Sequence, residues 1–110
     1  VQFSIEQRER YTEVSGKGRL NMVTAPLLRE VVAQAVGDGR TRIVLNLGEI
    51  IFMDSSGLGA LIGCLKVARQ AGGDLRIACV QPQVKMVLEL TSMHRVLAPH
   101  PTVEEAFGND

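Results

Sequence analysis

The spacing of apolar positions changes period several times along the chain, and each change marks a new element. Phe3 and Ile5, then Tyr11, Thr12, Val14 and Ser15, alternate in part, which predicts a β-hairpin or two short strands closed by Gly16 and Gly18. From Thr24 the period lengthens. Leu27, Leu28, Val31, Val32, Ala35 and Val36 fall in two adjacent i, i+4 rows, the apolar stripe of an amphipathic helix. Thr24 is placed to cap that helix, Pro26 sits in its first turn where a missing N–H costs least, and Gly37 and Gly39 stop it. Arg42-Ile43-Val44-Leu45-Asn46-Leu47 is a nearly continuous apolar run, the pattern of a central strand covered on both faces. Residues 55–71 read as a second helix, with Leu58, Leu61, Ile62, Leu65 and Ala68 inward, Lys66, Arg69 and Gln70 toward water, and Gly72-Gly73 at its end. Leu75, Ile77 and Cys79 alternate along a further strand, so 42–79 is predicted to be a right-handed βαβ crossover with parallel strands. A third helix follows Pro82, with Val84, Val87, Leu88 and Thr91 on its inner face. Pro99 and Pro101 mark a turn, and Thr102-Val103-Glu104-Glu105 is a capping-box sequence opening a short last helix. The predicted fold class is α/β: a single mixed sheet of four to five strands flanked by about four helices.

Composition narrows the function classes. A length of 110 residues fits one domain over 1–110, large enough to fold without disulfides or metal. Twelve Lys and Arg balance 12 Asp and Glu, whereas a nucleic-acid partner calls for a basic surface, and the absence of Trp leaves few rings for base stacking. No apolar run approaches the roughly 20 residues of a membrane span, and no signal-peptide pattern is present, so a cytoplasmic protein is expected. A start at Val1 rather than Met leads us to expect a trimmed amino terminus. Cys64 and Cys79 form neither a CxxC nor a metal-ligand spacing. Cys79, in strand parity with Leu75 and Ile77, is expected to be an inert core thiol, and Cys64, beside the helix stripe, a partly buried one. No metal, nucleotide or other cofactor is expected.

The stretch with the most chemistry is Phe52-Met53-Asp54-Ser55-Ser56-Gly57-Leu58-Gly59, between the central strand and the second helix. Carboxyl ends of strands in open α/β sheets are where ligands and partners are met, and the first free N–H groups of a helix point out there. Asp54 or Ser55 can cap those donors. Gly57 and Gly59 either admit the backbone of another molecule or ease helix–sheet packing, and spacing alone leaves both readings open. Ile50-Ile51-Phe52-Met53 is likewise open between core and docking patch. Known nucleotide loops do not fit: Gly57, Gly59 and Gly63 give GxGxxxG rather than GxGxxG, and no Gly-Lys-Ser/Thr follows. A small serine hydrolase using Ser55 or Ser56 is disfavoured, because neither serine centres a GxSxG and the only histidines are His94 and His100. The chain is therefore not expected to be an enzyme.

These residues resemble a known family. Leu45-Asn46-Leu47, then Phe52 to Gly59, then Gly72-Gly73 before a strand and Pro82-Gln83-Val84 opening a helix, resemble the STAS domain, and within it the bacterial anti-sigma factor antagonists. The similarity runs over essentially the whole chain. It implies a partner-switching regulator of transcription. Unphosphorylated, such a protein binds an anti-sigma factor, which is a serine kinase of the histidine-kinase-like ATPase fold, and so releases a sigma factor. Phosphorylation inactivates it, and a PP2C-type phosphatase restores it. The match carries the phosphoacceptor role onto Ser55 and the preceding acidic position onto Asp54. Where the family usually has Gly-x-Leu-Asp, this chain has Gly18-Arg19-Leu20-Asn21, one charge fewer near the partner surface. The partner face implied consists of Asn21, Met22, Thr24, Asp54, Ser55, Ser56, Gly57 and Leu58. The alternative is a STAS scaffold of a transport or signalling complex that is never phosphorylated.

Overall fold

A computed structural model describes residues 2–108. In chain order the elements are β1 (Phe3–Gln7), β2 (Thr12–Leu20), α1 (Ala25–Gly37), β3 (Arg42–Met53), α2 (Ser55–Gln70), β4 (Asp74–Ala78), α3 (Pro82–Leu90), a 3-10 turn over Met93–Arg95, β5 (Pro99–His100) and α4 (Val103–Phe107). The five strands form one mixed sheet in the order β1-β2-β3-β4-β5, antiparallel only between β1 and β2. The α/β class and the single mixed sheet agree with the sequence pattern.

Strand register decides which residues face the core. Thr12 and Val14 pair with Ile43 and Leu45, which pair in turn with Leu75 and Ile77, so these side chains share one face. Onto that face α1 packs Leu28, Val32 and Ala35, and α2 packs Leu61, Cys64, Leu65 and Ala68. Val84 and Leu88 of α3 close the same core. On the other face Val44 and Ala78 meet Val103, Ala106 and Phe107 of α4. The Phe107 ring lies 4.6 Å from the guanidinium carbon of Arg42 and 4.4 Å from that of Arg76. That last helix starts as its sequence predicts, with Thr102 Oγ1 accepting from the Glu105 N–H at 3.2 Å.

Several boundaries differ from the sequence expectation. Strand β2 runs through Gly16 and Gly18 instead of ending there. The Phe3 ring from β1 occupies the space a Gly16 side chain would need, and Gly18, at φ +111°, sits at a register shift between β2 and β3. Strand β3 continues past Leu47 to Met53 because β2 keeps pairing with it. Gly18 pairs with Ile50 and Arg19 with Phe52, which makes Ile51 the extra residue of a bulge. Cys79 lies beyond β4 at φ +64° and packs beside Val44 and Ala78, so its expected parity with Ile77 is broken. The expected turn at Pro99 is a two-residue edge strand, where a proline's missing N–H faces no neighbour. Thr91 is exposed rather than inward, with its hydroxyl donating to the Val87 carbonyl at 2.7 Å.

Two consequences can be measured. Asp74 opens β4 with Oδ1 accepting from the Leu75 N–H and from Arg69 Nε, and with Oδ2 accepting from Arg76 Nε. Partial burial pushes its carboxyl up, but the Leu75 N–H and the two arginines outweigh this and hold it below the ordinary carboxylate value. A depressed folded pKa adds stability above the unfolded value of about 3.9, and that stability is lost as pH falls through the folded value. Asp74→Asn is therefore expected to lower the melting temperature at pH 7, and the gap to wild type should close at pH values below both pKa values. The second consequence concerns the thiols. Burial, partly opposed by Arg29, pushes Cys64 up to about 11. Cys64 is buried and Cys79 half-buried, so a thiol reagent at pH 8 should modify Cys79 in the native protein and reach Cys64 only on unfolding. Equal rates at both thiols would contradict the packing of α2.

Candidate functional site

The strand-to-helix junction is built from the end of β2, the end of β3 and the start of α2. Asp54 has extended backbone angles, its Oδ1 accepts from the Gly57 N–H at 3.0 Å, and its carbonyl accepts from the Leu58 N–H at 3.0 Å. Asp54, not Ser55, is thus the cap of α2. The Asp54 N–H donates to the Leu20 carbonyl at 3.3 Å, which fastens the junction to the end of β2. Gly57 lies against that same carbonyl, and a Cβ there would strike Leu20 O and come within 2.9 Å of Leu20 Cγ and Met53 Cγ. For Gly57 the packing reading holds, and no partner backbone can reach it.

Directly after Leu20 the chain makes a second capped turn. Asn21 Oδ1 accepts from the Val23 N–H at 3.0 Å and from the Thr24 N–H at 3.2 Å, while the Asn21 N–H donates to Thr24 Oγ1 at 3.0 Å. The Thr24 hydroxyl in turn donates to the Arg19 carbonyl at 2.7 Å. The exchange between Asn21 and Thr24 has the form of a capping box, so the role expected of Thr24 passes to Asn21: the Thr24 side chain accepts from no N–H of α1, and Asn21 supplies the acceptor for the free N–H groups of the turn. An aspartate accepts at the same place through the same atom. Asn21→Asp should keep the fold, whereas Asn21→Ala should cost about 1 kcal/mol in denaturant unfolding.

Of the expected partner face, Ser55 and Met22 are exposed, Asn21, Asp54 and Ser56 are half-buried, and Thr24, Gly57 and Leu58 are buried. Thr24, Gly57 and Leu58 therefore support the face from beneath and offer no side chain to a partner. Exposed apolar residues sit on the elements that meet at this junction: Met22 (73%) and Val23 (75%) on the Asn21 turn, and Ile51 (58%) and Phe52 (39%) on β3. Val23 was missed by the sequence reading. Its signal was two consecutive apolar residues ahead of the helix stripe. Ile51 and Phe52 are exposed, while Ile50 and Met53 are buried core.

The His94 ring has its Nδ1 3.4 Å from the Leu88 carbonyl, and His100 is on β5, two strands from β3. Among the described residues no group of His, Cys, Asp or Glu is placed to hold a metal ion, and no helix is long and apolar enough to cross a membrane.

The junction defines a class: an α/β module that presents an accessible hydroxyl at a helix start, on a rim of exposed apolar side chains. A family model of the STAS domain matches residues 2–106, and the chain belongs to that family. The chain is 34% identical over 86 residues to an anti-sigma-B factor antagonist of Staphylococcus aureus, covering 78% of this chain and 80% of that one. A crystal structure of an anti-sigma factor antagonist from Mycobacterium paratuberculosis matches with a TM-score of 0.84 at 24% identity, over 96% of this chain and 90% of that one. The Bacillus cell fate determinant SpoIIAA in its phosphorylated form matches with a TM-score of 0.72 at 23% identity, over 96% of each chain.

Proposed function

We propose that this chain is an anti-sigma factor antagonist that works by partner switching. In its unphosphorylated form it binds an anti-sigma factor, a serine kinase of the histidine-kinase-like ATPase fold, and thereby frees a sigma factor. In the reverse step Ser55 Oγ attacks the γ-phosphorus of ATP, ADP leaves, and the hydroxyl proton passes to a base on the kinase. A PP2C-type phosphatase hydrolyses the phosphoserine and restores binding. The work takes place in the cytoplasm, and the chain itself carries out no catalysis.

The observation that carries this reading is the exposure of Ser55 at the first residue of α2, beside a rim formed by Met22, Val23, Ile51 and Phe52. A kinase needs its acceptor hydroxyl accessible, and Ser56, the alternative, is half-buried. The names of the relatives point the same way. A phosphate carries about −1.5 to −2 charge at pH 7. The monomer tolerates it, since a helix start offsets roughly 0.3–1 kcal/mol of its cost. Inside a packed interface the same dianion is stripped of water against apolar rim residues that supply no charge of their own, at a cost on the order of 2–5 kcal/mol, or roughly 30- to several-thousand-fold in affinity.

Incubation with the cognate kinase and ATP, followed by peptide mass spectrometry, tests the assignment. Ser55→Ala should abolish incorporation and Ser56→Ala should leave most of it. The reverse pattern would move the acceptor to Ser56, and no incorporation in wild type would favour the unphosphorylated scaffold.

A further inference from the structure

We propose that Arg29 of α1 is the built-in counter-ion that holds a phosphate carried by Ser55, an inference that rests on the phosphoacceptor reading of that serine. Ser55, Gly59 and Gly63 are spaced by four along α2 and form one row on the helix surface. Where the two glycines leave room, the Arg29 side chain reaches across from α1. A Cβ built at Gly63 would lie 3.9 Å from Arg29 Nε, and one built at Gly59 would lie 3.7 Å from Arg29 Nη2. The guanidinium therefore runs along the row with its outer nitrogen toward the start of α2, and the next position in that direction is Ser55.

The separation suits a phosphate better than a hydroxyl. Cβ atoms four residues apart on a helix stand about 5–6 Å from each other, so a group carried by Ser55 has about one helical turn to span toward the nitrogen that lies beside Gly59. A phosphoryl group extends the side chain by two further bonds and presents three acceptor oxygens. The planar guanidinium can meet two of them side by side, which a lysine ammonium cannot do.

Among the described residues Arg29 has no carboxylate partner in an ion pair, the acidic groups so engaged being Glu6, Glu13 and Asp74. Asp54, the acid adjacent to Ser55, is occupied with the Gly57 N–H. Arg29 also lines the groove between α1 and α2 together with Val32, Ala33, Gly63, Cys64 and Val67. Its charge is felt at the Cys64 thiol, as expected of a guanidinium lying over α2 rather than extended into bulk water. The phosphate would then be fixed over Gly59, tying α1 to α2 and raising a charged ridge on the ledge beside the apolar rim.

The test installs phosphoserine at position 55 of the full chain by genetic encoding, so that no kinase is involved, and follows the phosphorus-31 resonance against pH. The second phosphate pKa, about 6 in an unpaired phosphoserine, should be lower with Arg29 than in Arg29→Gln by about half a unit or more. Arg29→Lys should fall between them, and 1 M salt should shrink the difference. Asp54 and the helix start are common to all three proteins, so the difference isolates Arg29. Should Arg29→Gln fail to fold, the Arg29 Nε–H resonance of the wild-type protein with and without the phosphate supplies the same answer. Equal phosphate titrations in the variants, or an Arg29 resonance indifferent to the phosphate, overturns the proposal. A kinase that leaves Ser55 unmodified refutes the phosphoacceptor reading without touching this result.

Discussion

Ser55→Asp is expected to bind the cognate anti-sigma factor at least about 30-fold more weakly than wild type in calorimetry with ADP present, while its circular dichroism and melting temperature stay near native. The two halves of this expectation have separate causes. Ser55 is exposed and its backbone is already set by the Asp54 cap, so a carboxylate there disturbs no packing. In the proposed complex the same charge would lie among apolar rim residues that exclude water without answering it. One carboxylate carries less charge than a phosphate, which places the effect at the low end of the range given above. Ser55→Ala should bind as wild type does and resist inactivation. Arg69→Ala, toward the far end of α2, should leave affinity unchanged. Wild-type affinity in Ser55→Asp would mean that phosphorylation cannot act by blocking this face, and the scaffold reading would move ahead.

Gly57→Ala should give the largest loss of stability among conservative substitutions at the site, about 3 kcal/mol, or roughly 10–20 °C in melting temperature. The added methyl meets the Leu20 carbonyl, which is backbone and cannot rotate away, along with Leu20 Cγ and Met53 Cγ. Relief requires α2 to lift from the end of β2, which strains the Gly57 N–H bond to Asp54 and the Asp54 N–H bond to Leu20. Binding should fall with it, because the serine and the Asn21 turn would no longer share a surface. Gly37→Ala is the control: a Cβ there meets nothing within 4 Å, and the alanine should stabilise by about 0.4–1 kcal/mol through the unfolded chain. A Gly57→Ala protein that melts within two or three degrees of wild type would show that the contact is not as tight as described.

What could be read from the sequence follows from how local each signal was. The α2 stripe, the Gly72-Gly73 stop and the Thr102 cap depend on residues within a turn or two of one another, and each was legible. The continuation of β2 was not, because the reason Gly16 belongs in a strand is the Phe3 ring on the neighbouring strand. The full length of β3 was hidden by the bulge at Ile51, which puts two successive apolar residues on the exposed side and breaks the alternation that marks a strand. Cys79 was misplaced for a related reason: a single residue at positive φ resets the parity that preceding residues establish. At the site, the Asp-Ser-Ser-Gly stretch stood out from its residue types. That Asn21 and Thr24 cap each other, and that both turns meet at the Leu20 carbonyl, depends on strand register that no local pattern contains.

The bulged half of β3 also bears on how the molecule behaves at high concentration. Strand β4 pairs only with Arg42–Asn46, so the rest of β3 has a side that no strand covers. Two glutamines at the start of α3 close it. Gln83 accepts from the Met53 N–H at 2.8 Å and donates to the Met53 carbonyl at 3.0 Å, and Gln81 donates to the Gly48 carbonyl at 2.6 Å. A side-chain amide has the same donor and acceptor as a peptide group, so Gln83 stands in for one residue of a missing strand. Being a side chain, it offers no further edge on which another molecule could add a strand. Without it, the apolar run Ile50-Ile51-Phe52-Met53 would present open backbone to its neighbours, the starting condition for sheet-to-sheet aggregation. The long central strand can thus carry the serine out beyond the rest of the sheet without making that extension adhesive.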